Sequence, residues 1–128
     1  MGRINGDKVG RWSLRIDAAY CAVLGTAVVL GAGWIAQGVA LPPLVIVASG
    51  VAVVLWAGGV LWMLSRLPLR RALGLVMIAN VLAAIAVGFV SATAATALIV
   101  AAVLAVALDI AFFATSQAIA LRALPARA

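Results

Sequence analysis

Few side chains in this chain can do chemistry, and most of those lie inside apolar runs. Asp109 stands in the middle of ALIVAAVLAVALDIAFFATSQAIAL, residues 97–121. At about 1.5 Å per residue that stretch makes a helix of roughly 37 Å, and about 20 residues already cross a bilayer's hydrocarbon core. Lipid alone does not explain a carboxylic acid at that depth. Such a group either binds a proton or cation along a path or ties helices together by hydrogen bonds. Asn80, Tyr20 and Ser116 are its candidate companions. Counted from the nearest basic residue, Asn80 lies about 13 Å beyond Arg71 and Asp109 about 20 Å from Arg122, in one broad middle layer with Trp56. Ala102, Ala105, Phe113, Ser116 and Ala120 share the helical face centred on Asp109, while Ala83, Ala84 and Val87 share that of Asn80. Small residues let helices approach closely. The expectation is that these faces meet and that Asn80 bonds Asp109. Tyr20 or a backbone carbonyl is the alternative partner.

A second group gathers at the basic edge. Asp17 is only about 3 Å beyond Arg15, which makes it a candidate ion-pair partner for Arg15, Arg70, Arg71 or Arg122. A lipid-headgroup or substrate site at that edge is the sharper alternative. The chain contains no Glu and no His, which removes the usual metal ligands and the commonest general base. Cys21 is the only cysteine and lies in an apolar run, so it reads as an inert thiol. HExxH, GxSxG, P-loop and CxxC patterns are absent, as is a DxxxD-type phosphate site. Neither enzymatic activity, a cofactor nor a metal is expected.

Placing these groups requires several membrane-length helices. Of the 128 residues 68% are hydrophobic and 9% charged, and mean hydropathy is +1.31. This is a polytopic membrane composition rather than that of a water-soluble domain. Four spans are expected, at about 16–36, 44–64, 72–90 and 97–121, in an all-α bundle. A basic segment, 1–14, precedes the transmembrane domain 15–122, and a short tail, 123–128, follows it. A cleaved signal peptide fits less well, because the first apolar run exceeds the usual h-region and lacks a small-x-small site before a polar domain. Pro42 and Pro43 break the first helix and can open the second, and Pro68 disfavours helix at Leu67. Ser91, Thr93 and Thr96 are candidate N-caps for the fourth.

Does Asp109 forbid its span? Residues 97–121 hold twelve Leu, Ile, Val or Phe. They contribute roughly −4 to −7 kcal/mol to insertion, against about +3 kcal/mol for a central Asp. Insertion wins.

All nine basic residues precede the first span, follow the fourth or lie in the SRLPLRR link. By the positive-inside rule both termini and that link are cytoplasmic. The same bias argues against dual topology. The net charge of +6 then reflects orientation and contact with anionic lipid headgroups rather than nucleic-acid binding.

The order RIDAAYC, then LPP before the second span, then ANVLAA in the third resembles a family of small, uncharacterised four-helix membrane proteins of GC-rich bacteria. The resemblance implies four spans and no established activity, so it transfers no functional residue. The resulting expectation is a non-enzymatic protein of the bacterial cytoplasmic membrane. It acts through helix–helix association as an accessory or assembly subunit, with a second copy or another membrane protein as partner. The alternative is a small homo-oligomeric transporter or channel in which Asp109 couples a proton or cation.

Overall fold

A computed structural model describes residues 5–125; Arg3 and Arg127, both part of the basic-edge reading, lie outside the described residues. The chain folds as α1 (Gly6–Leu30), α2 (Ala32–Ile35), α3 (Pro43–Arg66), α4 (Leu69–Ser91) and α5 (Ala97–Ala123). It is an all-α bundle, and α1, α3, α4 and α5 are each long and apolar enough to cross a membrane.

Local chemistry sets most helix ends. Pro43 takes the first position of α3, where its missing N–H costs nothing, and Pro42 before it is extended. Leu67 is extended ahead of Pro68, which divides α3 from α4. Of the three candidate caps it is Thr96 that caps α5, its side chain accepting from the Ile99 N–H at 3.2 Å. Thr93 instead ties the two apolar links together by accepting from the Ala40 N–H at 3.2 Å.

The first helix departs from expectation at both ends. It begins at Gly6, ten residues before the expected start, because Asn5 caps it by accepting from the Lys8 N–H and the Arg11–Asp7 pair at spacing i,i+4 supports the first turns. Gly31 ends it, and the single turn α2 carries the chain to Ile35.

Short links do not make every sequential pair close neighbours. The central pair is α1 and α5, with α3 packed on α1 and α4 on α5, whereas α3 and α4 touch only sparsely. They meet beside their link, where Val60, Met63, Leu69, Ala72, Leu73 and Val76 join Leu14, Ala18, Ala120 and Leu124 in the main core. A smaller cluster of Ala32, Val39 and Ile46 closes the opposite end. The start of α1, the α3–α4 link and the end of α5 share one end of the bundle, which carries Lys8, Arg66, Arg70, Arg71 and Arg122 and is called here the basic end.

Two glycines bring α1 and α3 together. A methyl group at Gly25 would fall 2.7 Å from the Gly50 carbonyl oxygen, and one at Gly50 2.8 Å from that of Gly25. Only hydrogen fits on both sides of that crossing.

Candidate functional site

The interior polar site is built around Asp17, not Asp109. Gly6 to Asp17 is eleven residues and Leu69 to Asn80 is also eleven, so the two side chains lie at equal distance, roughly 16 Å, along helices that start at the same end. Gln117 reaches the same layer from α5. Asp17 is 1% exposed, Asn80 4% and Gln117 0%.

The three side chains form a closed triangle. Asn80 Nδ2 donates to Asp17 Oδ2 at 2.6 Å and to Gln117 Oε1 at 3.0 Å. Gln117 Nε2 donates to the same Asp17 Oδ2 at 2.7 Å. Cys21, one turn along α1, donates its thiol to Asp17 Oδ1 at 3.5 Å. Both carboxyl oxygens of Asp17 thereby have hydrogen-bond partners from inside the bundle. The triangle joins α1, α4 and α5 in a region where an unmade hydrogen bond is expensive.

The expected edge cluster of Asp17 with Arg15, Arg70, Arg71 and Arg122 does not form. Residues two apart on a helix point about 200° apart, so Arg15 is exposed while Asp17 faces inward. Arg71 and Arg122 are exposed as well. Arg70 turns to the end of α5, where its Nη2 donates to the carbonyl oxygens of Leu124 at 3.1 Å and Pro125 at 2.7 Å. That is the favourable place for a cation, because those carbonyls lack helical partners. Among the described residues the ion pair is Arg11–Asp7 at 3.2 Å, on the exposed first turns of α1.

No protein-family model, curated protein or solved structure matches this chain.

The expected contact between Asn80 and Asp109 is also absent. Asp109 lies twelve residues from Ala97 and fourteen from Ala123, at the middle of α5, and is exposed on the outside of the bundle. The buried residues of α5 are Ala107, Ala114, Gln117 and Ala120; Ala107 and Ala114 lie about 140–160° around the helix from Asp109, whereas Ala120 lies about 20° from it, so the face of Asp109 is buried near the basic end and open at the level of Asp109 itself. The partner of Asp109 is Tyr20, whose hydroxyl donates to Oδ2 at 3.0 Å. Phe113 steadies the tyrosine ring, with centroids 5.4 Å apart and planes inclined at 57°.

Ser116 belongs to neither group; its Oγ lies 2.7 Å from Ser13 Oγ, a further α1–α5 link nearer the basic end. The candidates Asp109, Asn80, Tyr20 and Ser116 are thus divided among three separate sets of contacts. Sequence reasoning missed Gln117 and Ser13. The signal for Gln117 was available: it is a second strongly polar side chain within the run that holds Asp109, and it shares a small-residue face with Ala114 and Ala120.

Two open grooves mark the surface, one of about 390 Å³ between α1 and α5 and one of about 240 Å³ between α1 and α3. Neither is lined by Asp17 or Asp109.

Proposed function

We propose that this is a non-enzymatic protein of the bacterial cytoplasmic membrane, with both termini and the α3–α4 link cytoplasmic. It acts by associating with a partner transmembrane helix as an accessory or assembly subunit. The observation that carries this reading is the exposed position of Asp109 at the middle of α5. A carboxyl group facing hydrocarbon costs about 2.5–3.5 kcal/mol on insertion scales, and the single tyrosine hydroxyl at its side satisfies only part of its accepting capacity. A partner helix presenting a donor or cation at that depth recovers much of the cost. The basic residues gathered at one end support this orientation.

The same exposure motivates one other reading. Several copies could line a path with outward-facing Asp109 side chains, making the chain a homo-oligomeric transporter or channel. The two readings separate on Asp109→Asn and Asp109→Leu. Under association, both variants reduce co-purification with the partner, or with a differently tagged second copy, and leave proton and cation flux in proteoliposomes at the level of empty vesicles. Flux in the unmodified protein that Asp109→Asn abolishes, with co-purification intact, would replace association by transport. Unchanged co-purification and no flux in any variant would remove both.

A further inference from the structure

We infer that the groove between α1 and α5 holds an acyl chain of an anionic phospholipid, with the lipid phosphate at Lys8. Val9, Trp12 and Ile16 of α1 face Phe112 and Phe113 of α5 across it. Ser13 and Ser116 lie at its lining and bond each other, so they offer a ligand little unspent polarity. From Lys8 to Ile16 the groove follows α1 for roughly 12 Å, away from the basic end. Lys8 lies in the first turns of α1 and is exposed, which places it at the basic end of the bundle and at the mouth of the groove. Trp12, 54% exposed, takes the interfacial level, where an indole is most at home.

Charge complementarity selects the lipid. Arg11 is engaged by Asp7 and Arg70 by the end of α5. Lys8 is the charged residue that lines the groove, and among the described residues it makes no ion pair. A cation in the first turn opposes the helix dipole, so helix stability does not account for it. A phosphate at the mouth with its chain along the apolar floor satisfies both parts of the groove at once. The inference rests on the bundle lying in a bilayer and not on any partner at Asp109.

The test uses the full chain with Trp34, Trp56 and Trp62 replaced by Phe, so that Trp12 alone emits. In phosphatidylcholine vesicles, a small fraction of phosphatidylglycerol brominated on one acyl chain should quench Trp12 as though enriched roughly five-fold over the same fraction of brominated phosphatidylcholine. Lys8→Gln should remove most of that preference, and Arg66→Gln, an equal loss of charge on the α3–α4 link, should leave it. Val9→Phe, which fills the groove with all charges intact, should lower quenching by the anionic lipid toward that of the zwitterionic one. Circular dichroism verifies the helix content of each variant. Equal quenching by the two lipids in the unmodified groove would overturn the inference. Equal sensitivity to Lys8→Gln and Arg66→Gln would also overturn it, in favour of diffuse surface attraction.

Discussion

Of the three carboxylic acids in helices of spanning length, Asp7 sits on the first turn of α1, while Asp17 and Asp109 lie deeper and live in opposite surroundings. Asp17 is closed in by Asn80, Gln117 and Cys21 at the centre of the bundle. Asp109 stands on the outside with Tyr20. Hydropathy and distance along the helix rank them the other way, since Asp17 is near basic residues and Asp109 is in the middle of the most apolar run. On α1 two positions turn a side chain from exposed Arg15 to enclosed Asp17. On α5 the level along the helix decides: Ala120, only about 20° around from Asp109, is buried near the basic end, while Asp109 is left open at its own level.

The largest effect expected from that contrast is on stability. Asp17→Ala leaves amide groups of Asn80 and Gln117 buried without the acceptor they share. At about 1–3 kcal/mol for each of the two unsatisfied groups, the bundle should lose about 2–6 kcal/mol, measured by reversible unfolding in mixed micelles. Asp109→Ala should cost the isolated bundle less than about 1 kcal/mol, since interhelical hydrogen bonds in membranes average about 0.6 kcal/mol. Equal losses from the two variants would erase the distinction between an interior and an exterior acid.

The glycine crossing gives an intermediate effect. Gly50→Leu forces a side chain into the α1 backbone and should destabilise by about 1–3 kcal/mol. Gly58→Leu, where a Cβ meets nothing within 4 Å, should be close to neutral in the same assay. Similar values at the two sites would mean that α1 and α3 cross elsewhere.

The smallest effect belongs to Tyr20→Phe, which deletes the hydroxyl on Asp109 and keeps the ring against Phe113. It should cost about 0.6 kcal/mol. Combined with Asp109→Asn it should add less than the sum of the two single changes, because both variants act on one bond. Full additivity in that double-mutant cycle would mean that the Tyr20–Asp109 bond contributes nothing.

Much of the architecture was readable before any coordinates, because bilayer-length apolar runs and their breakers act locally. Pro42, Pro43 and Pro68 stop and start helices through their own ring geometry, and three of the four long helices begin within three residues of expectation. The early start of α1 was harder to see. Its first turns are polar, and they are held by an asparagine cap and an Asp7–Arg11 pair rather than by apolar periodicity. The candidate sites were less readable. Asn80 is buried with Asp17 and Gln117 as its partners, not with the expected Asp109. Small residues surround both Asp109 and Gln117, so the small-residue pattern alone could not decide which face of α5 turns inward.

Composition and charge distribution already carry the number of long helices and the gathering of cations at one end, since those depend on transfer free energies summed residue by residue. Which acid is enclosed, which helices touch, and where an open groove remains depend on how four rods are rotated and crossed relative to one another. That is settled by contacts between residues far apart in the chain, such as Gly25 with Gly50 and Asp17 with Asn80 and Gln117. No local sum contains those pairings, because each one exists only after two helices have chosen the faces they present.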